Sequence, residues 1–217
     1  MILTLKKKGK ILENVKFWAD RTTLEVGQVT VLVGANGSGK TATLDAIAAS
    51  CGVFSGKSDR ENYRTADEVR ASVGEIEPDI AFASVLRYQG VTAHGLPSAV
   101  LTKDDIFRLD MQRRSHGEAG IFTLARQIMT PLRASVGETL LLLDEIETGL
   151  SAEAQTLVAR GIASEAVGRP WLKMLVATQS DRVRAQFLLV GDELDFGGWI
   201  KGNPWKDEER PQKENSR

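Results

Sequence analysis

The residues best suited to chemistry form one glycine-rich stretch, Gly34-Ala35-Asn36-Gly37-Ser38-Gly39-Lys40-Thr41, called the phosphate loop below. It matches in full the pattern G-x-x-x-x-G-K-[ST], in which backbone N–H groups cradle phosphates. Glycines suit such a loop because they adopt backbone angles closed to other residues and leave room for an anion. Lys40 would reach the β- and γ-phosphates of a nucleotide, and the Thr41 hydroxyl would bind Mg²⁺. The pattern predicts a nucleotide site; the structural alternative is a glycine-rich turn that binds nothing.

The segments around the phosphate loop predict the elements that must position it. Val29–Val33 before the loop is a short apolar run typical of a buried strand, and Ala42–Ser50 after it is typical of a helix. The positive end of that helix would favour a bound phosphate. Thr43 in this helix joins the candidate nucleotide-binding residues. Trp18, a little upstream, either stacks on the nucleotide base or packs in the core.

A second apolar run, Thr139–Leu143, ends in two carboxylates, Asp144 and Glu145. An acidic residue at the carboxyl end of a strand beside a phosphate loop holds Mg²⁺, usually through water. The next carboxylate can then orient or deprotonate a water aimed at the γ-phosphate. Gln89 follows another predicted strand and is a candidate for sensing the metal or the water. The candidate metal site therefore comprises Thr41, Gln89 and Asp144.

A third polar stretch, Ser115-His116-Gly117-Glu118, precedes a strongly periodic helix predicted over 119–132. Ser115 has the position of a helix cap, and Glu118 three residues later completes a capping box. The start of a helix is also an anion site, because its first N–H groups lack partners within the helix. On the residues alone, capping and anion binding both stay open.

Length and composition indicate a single domain. The chain has 217 residues, enough for one α/β domain with a sizeable core, which we assign to 1–200, with a disordered tail over 201–217. Its one cysteine, Cys51, cannot form an internal disulfide. No apolar run is long enough to span a bilayer, and the N-terminus lacks the pattern of a signal peptide. We therefore expect a cytoplasmic protein that does not insert directly into a membrane.

The charge balance limits the partners. A formal net charge of -1 argues against a surface that is basic overall. Nucleic acid stays open as a partner only through a local patch, either the lysines within 6–10 or Arg113 and Arg114. The lysines would lie at the tip of a hairpin that turns at Gly9, and a solvated loop is the plainer interpretation of such a charge run.

The remaining pattern predicts the other elements. Residues 52–79 are polar and indicate surface structure containing one short helix. Strands are predicted over 1–5, 10–17, 21–26, 80–88, 171–177 and 188–190, and helices over 66–72, 152–166 and 181–187.

Five features occur in one fixed order: the phosphate loop, Gln89, the Ser115–Glu118 helix start, the carboxylates at 144 and 145, and the polar end of the strand before Ser180. This order resembles the ATP-binding-cassette ATPases and covers about 10–190 of the chain. The runs LLLDEIETGL, ending at Leu150, and ATQS, ending at Ser180, look most like the compact RecF, SMC and OLD-like group. SHGE in place of the transporter signature LSGGQ favours the same group.

The resemblance implies a P-loop NTPase fold of the α/β class, with a mixed sheet, flanking helices and an N-terminal antiparallel β subdomain. It also implies an ATP-dependent head-to-tail homodimer in which Ser115, Gly117 and Glu118 of one subunit complete the site of the other. Gly149, Leu150 and Ser151 would form a loop that contacts the second subunit.

The resemblance also assigns the catalytic residues Lys40, Glu145 and Gln179. Gln179 stands where the family usually has a histidine that contacts the γ-phosphate and the attacking water. Glutamine still donates and accepts hydrogen bonds, so we expect nucleotide binding to survive while hydrolysis is slow.

Three functions stay open. The leading hypothesis is an ATPase head that uses ATP and Mg²⁺, dimerises around ATP and works as motor or switch with a further protein partner, in DNA maintenance or in defence against mobile elements. The second is the nucleotide-binding subunit of a membrane transporter. The third is a nucleotide-sensing interaction module without hydrolysis, which Gln179 motivates.

Overall fold

The computed structural model of the chain describes residues 1–53, 66–89 and 128–197. Its strands are β1 (Ile2–Lys8), β2 (Thr23–Glu25), β3 (Val29–Val33), β4 (Gly74–Pro78), β5 (Ser84–Gln89), β6 (Thr139–Asp144), β7 (Leu172–Ala177) and β8 (Asp192–Asp195). Its helices are α1 (Lys40–Ser50), α2 (Ala66–Ser72), α3 (Thr130–Ala134), α4 (Ala152–Ser164) and α5 (Asp181–Phe187). Two 3-10 turns, Leu12–Asn14 and Lys16–Trp18, stand between β1 and β2.

Five strands form a parallel sheet in the order β5-β6-β7-β3-β8. All six residues of β6 are buried. Its four consecutive leucines are typical of a strand in a parallel sheet that is covered on both faces. The register places Gln89, Asp144 and Ala177 side by side at the ends of β5, β6 and β7. Polar residues that follow these strands therefore meet at one edge of the sheet, as ligand-binding residues do in open α/β folds.

The smaller sheet has three antiparallel strands in the order β2-β1-β4. Leu3 from β1 and Ile76 from β4 share a buried cluster with Leu44 and Ile47 from α1. This packing holds the helix that follows the phosphate loop between the two sheets. The predicted N-terminal antiparallel β subdomain is thus confirmed.

The two faces of the parallel sheet belong to different hydrophobic clusters. Leu140 and Leu142 of β6 pack in the cluster that contains α1, whereas Leu141 and Leu143 pack in the cluster formed with α4 and α5. Successive side chains of a strand point to opposite faces, so a run of four leucines serves both clusters. Asp144 follows these leucines as the last residue of β6 and is also buried.

Some predicted elements are confirmed. The strand over 29–33 and the helices over 66–72 and 181–187 have the predicted bounds. The strand over 80–88 starts later, at Ser84, and the helix over 152–166 ends at Ser164. The helix over 119–132 and the tail over 201–217 fall mostly or wholly outside the described residues.

Other predictions are wrong. The segment 10–17 forms 3-10 turns instead of a strand, so Lys6, Lys7 and Lys8 lie on β1 and not at the tip of a hairpin. The segment 188–190 is a turn, and the strand comes later as the charged sequence DELD of β8. The segment 52–79 contains β4, which we did not predict.

The predicted α/β fold with parallel and antiparallel strands is confirmed: within the described residues, the pairs of the five-stranded sheet are parallel and those of the three-stranded sheet are antiparallel.

Among the described residues, none of the helices has the length and apolar character needed to cross a membrane.

Candidate nucleotide site

The phosphate loop depends on its glycines for shape. Gly34, Gly37 and Gly39 have φ angles of 142°, 78° and 94°, in the region that side chains with a Cβ rarely adopt. A Cβ at Gly39 would also overlap the side chain of Val15, which the 3-10 turns place directly beneath the loop. The loop therefore has both the angles and the close packing that only glycine permits.

Lys40 begins α1, and its side chain turns back into the loop. Nζ donates hydrogen bonds to the carbonyl oxygens of Gly34 at 2.7 Å and Ala35 at 3.1 Å, and to Ser38 Oγ at 3.3 Å. Burial lowers the pKa of Lys40, while the nearby carboxylates, Asp144 first, raise it. The ammonium group is thus held at the loop by oxygen atoms, where phosphate oxygens could take their place.

Asp144 and Thr41 bring two hard oxygen donors together, as predicted for a Mg²⁺ site. Thr41 Oγ1 donates to Asp144 Oδ1 at 3.3 Å, and Asp144 is almost fully buried. Mg²⁺ in nucleotide sites is held by one or two protein oxygens together with phosphate oxygens and water. The described residues contain no group of three His, Cys, Asp or Glu that could hold a metal on its own. The Thr41 hydroxyl and the Asp144 carboxylate are the two oxygen donors that a metal shared with a nucleotide would take from the protein.

Arg87 contacts this site, and the sequence patterns did not predict it. Its Nη2 donates to Asp45 Oδ1 at 2.9 Å and to Asp144 Oδ2 at 3.1 Å, with only 3% of the Arg87 side chain exposed. Burial raises the pKa of Asp144, while the charge of Arg87 and the hydrogen bonds from Thr41 and Arg87 lower it. One guanidinium thus joins β5, α1 and β6. A cation two residues before Gln89, inside a strand, was the signal available in the sequence.

Glu145 leaves the strand in an unusual conformation. Its φ is 49°, and it is the one non-glycine residue with positive φ among those described. Such backbone strain is common where a side chain must be aimed. Gln179 Nε2 donates to Glu145 Oε1 at 2.6 Å. Burial and the charge of Asp144 raise the pKa of Glu145, and the bond from Gln179 lowers it.

Glu147 is a second residue that the sequence analysis missed. Its Oε1 accepts hydrogen bonds from Thr178 Oγ1 at 2.7 Å and from the backbone N–H of Gln179 at 2.8 Å. It therefore connects the turn after β6 with the segment after β7. In the sequence, only its place in the DEIE run pointed to it.

Trp18 and Thr43 require a correction. Both side chains are fully buried, and Trp18 Nε1 donates to Thr43 Oγ1 at 2.9 Å. Phe17, the neighbouring ring, stacks on Phe196 with centroids 4.3 Å apart. These rings pack in the buried cluster that also contains Leu3 of the smaller sheet, so base stacking by Trp18 and nucleotide contact by Thr43 were wrong.

The other predicted residues fall into two groups. Asn36 and Gly37 are exposed in the loop, and the backbone of Gln89 pairs with that of Asp144 in the parallel sheet. Ser115, Gly117 and Glu118 lie outside the described residues, so their place in the site stays a prediction.

The fold and the phosphate loop define the class of protein. The phosphate-binding unit consists of a parallel strand, a loop with three glycines at positive φ and a helix that begins at Lys40. It lies beside the end of β6, where Asp144 and Glu145 follow each other. Residues 11–118 match the family model described as AAA domain. Over these residues the chain is similar to that family, and the strand, loop and helix form the phosphate-binding unit of a P-loop nucleotide-binding fold.

The chain was also compared with curated proteins and with solved structures. No curated protein matches the chain. Among solved structures, a nucleotide-free ATP-binding cassette from an ABC transporter is 16% identical, over 92% of this chain and 90% of that one, with a TM-score of 0.41.

Proposed function

We propose that this protein binds ATP with Mg²⁺ and hydrolyses it to ADP and phosphate. The observation that carries the proposal is the gathering of the site side chains at one edge of the parallel sheet. They come from the segment after β3, from the last residue of β6 and the residue after it, and from the segment after β7: Lys40, Thr41, Asp144, Glu145 and Gln179.

Each residue has a role that its surroundings support. The backbone N–H groups of the phosphate loop and the Lys40 ammonium would hold the phosphates. Thr41 and Asp144 would hold Mg²⁺, which when bound neutralises charge on the phosphate oxygens. Glu145 would orient the water and accept its proton, and the raised pKa of this carboxyl suits a base. The water oxygen bonds to the γ-phosphorus as the bond to the bridging oxygen breaks, and ADP leaves.

The proposed assembly is a homodimer formed around ATP. Ser115, Gly117 and Glu118 of a second copy would supply helix N-terminal donors to the γ-phosphate. Gly149 and Ser151 are exposed in the loop between β6 and α4, close in sequence to Glu145, which supports a role of this loop in contacting the second copy. The dimer would act in the cytoplasm as motor or switch of a larger complex, in DNA maintenance or defence, with nucleic acid as an open partner.

A second candidate function is a nucleotide sensor that does not hydrolyse ATP. The hydrogen bond between Gln179 and Glu145 favours it, because a donor on Oε1 reduces the carboxylate's capacity to accept a proton. Turnover that disappears in a Lys40→Ala variant would exclude this candidate.

Steady-state ATP hydrolysis that Lys40→Ala abolishes tests the proposed reaction, and the mass in solution of a Glu145→Gln variant, with and without ATP and Mg²⁺, tests the proposed dimer. We expect a monomer alone and a dimer with ATP, because the variant binds ATP without consuming it. Lys40→Ala is the control and should stay monomeric in both conditions. A Glu145→Gln protein that remains monomeric at saturating ATP would show that the dimer mechanism is wrong.

A further inference from the structure

Glu147 turns its carboxylate into the protein instead of into solvent. Oε1 accepts two hydrogen bonds, from Thr178 Oγ1 at 2.7 Å and from the Gln179 N–H at 2.8 Å. Oε2 is buried and has no hydrogen-bond partner in the described part of the chain. A buried carboxylate oxygen without a partner is costly. Packing alone would be served at lower cost by an apolar side chain, so the carboxylate calls for another explanation.

Its two partners belong to the segment that carries Gln179. A charged oxygen that accepts two short hydrogen bonds fixes its donors more firmly than a neutral acceptor does. Glu147 therefore holds the backbone of Gln179, while the side chain of Gln179 reaches Glu145 Oε1 at 2.6 Å. Two carboxylates of the turn after β6 thus hold Gln179, one through its backbone N–H and the other through its side-chain amide.

The same segment is fixed from a further direction. The N–H of Ser180 donates to Thr178 Oγ1 at 3.0 Å, and Ser180 Oγ donates to Gln155 Oε1 at 2.7 Å. Gln155 Nε2 in turn donates to the carbonyl oxygen of Leu150 at 3.1 Å. The hydroxyl of Thr178 thus joins Glu147 to a network that ends in the loop before α4.

We propose that Glu147 is a positioning residue for ATP hydrolysis. Through the Thr178 hydroxyl and the Gln179 N–H it places the Gln179 amide on Glu145 Oε1, so that Glu145 presents its other oxygen to the attacking water. The inference rests on the proposed function, because it assigns Glu147 a role in the reaction of Glu145. Glu147 itself touches neither water nor nucleotide in this role.

The test compares three variants. Glu147→Leu removes both acceptor oxygens, and kcat should fall about 100-fold, since small displacements of a reacting group cost that much. The KM for ATP should change less than about threefold, because the phosphate loop is untouched. Glu147→Gln keeps an acceptor oxygen and should recover most of the lost kcat. Thr178→Val removes one donor and should lower kcat about tenfold, near the value of one hydrogen bond.

A second measurement does not depend on activity. Without nucleotide, amide hydrogen exchange at Gln179 should become faster in Glu147→Leu than in the unchanged protein, because its N–H loses its acceptor. Thr156→Val is the matched control: in the described part of the chain the Thr156 hydroxyl donates to the carbonyl oxygen of Ala152 in its own helix, so kcat and exchange should not change.

The outcomes separate the two proposals. If Glu145→Gln abolishes turnover while Glu147→Leu and Thr178→Val both keep the full kcat, the inference about Glu147 is wrong and the proposed function stands. If the unchanged protein shows no turnover that Lys40→Ala removes, the proposed function fails and the role of Glu147 in hydrolysis fails with it. Should Glu147→Leu not fold, the kcat of Thr178→Val decides.

Discussion

The amide of Gln179 donates a 2.6 Å hydrogen bond to the carboxylate of Glu145 and so joins the ends of β7 and β6. These two residues are 34 positions apart in the chain, and the parallel register of the two strands brings them together. In the proposed hydrolysis, the Gln179 amide would therefore control how Glu145 acts on the attacking water.

Gln179→His should increase kcat. A histidine can donate a hydrogen bond to Glu145 or to the γ-phosphate and can also carry a proton, which an amide cannot. We expect a rise of about tenfold, within the range of a single acid–base contribution. Steady-state ATPase assays would measure it, with Gln179→Leu as the variant that should lower kcat. An equal kcat in all three proteins would contradict a role for this position.

Glu145→Gln should stabilise the protein at neutral pH in the absence of nucleotide. The pKa of Glu145 is raised in the folded protein, so folding binds protons here, and stability is lost as pH rises through the folded pKa. A glutamine at position 145 does not ionise, so the variant does not lose this stability as the pH rises. We expect Tm to rise by roughly 1–2 °C at pH 7.5, a small effect because water partly screens the group. The difference should vanish below about pH 4, where glutamate is protonated in the unfolded chain too. Thermal unfolding across pH measures it, and a Tm difference independent of pH would exclude this cause.

Arg87→Met should destabilise the fold by about 3 kcal/mol, because removing one partner of a buried ion pair leaves uncompensated charge. Asp45 and Asp144 would lose the guanidinium between them. Urea unfolding gives the free energy directly. Arg133→Met is the matched control: Arg133 pairs with Glu165 but its side chain is 64% exposed, so the cost should stay below about 1 kcal/mol. Similar losses in both variants would show that burial does not decide the effect.

Gly39→Ala should prevent ATP binding and destabilise the protein. The new Cβ overlaps Val15, and a φ of 94° is unfavourable for alanine. Gly161→Ala is the opposite case, because a Cβ in the middle of α4 meets nothing within 4 Å. That change should stabilise the protein by about 0.5–1 kcal/mol. Calorimetry of ATP binding and urea unfolding test both variants. Unchanged ATP affinity in Gly39→Ala would mean that the loop can rearrange.

Among the strands, the buried ones could best be predicted from the sequence. β3 and β6 are continuous apolar runs, and such runs have few alternatives in an α/β chain. β4 and β8, with the sequences GEIEP and DELD, lie at sheet edges. They form strands because their backbones pair with a neighbouring strand, and their charged side chains do not predict that pairing.

The site shows the same division. The phosphate loop and the Asp144–Glu145 strand end carry local patterns, so they could be found. Arg87 and Glu147 could not be found in this way, because their roles depend on distant partners. Arg87 pairs with Asp45, 42 residues away, and Glu147 pairs with Thr178, 31 residues away. A charged residue is solvated in most sequence contexts, and only the fold shows that these two are paired inside the protein.

The position of β3 between β7 and β8 has a consequence for synthesis on the ribosome. The strand VTVLV and the phosphate loop emerge well before β7 and β8, the two neighbours of the strand, which come from the last part of the described chain. Until these neighbours are translated, an apolar strand with two unpaired edges is exposed in the nascent chain, a state prone to aggregation. Nascent chains that end before β7 should therefore be unable to bind ATP, and the binding site should form only after β7 and β8 have been translated.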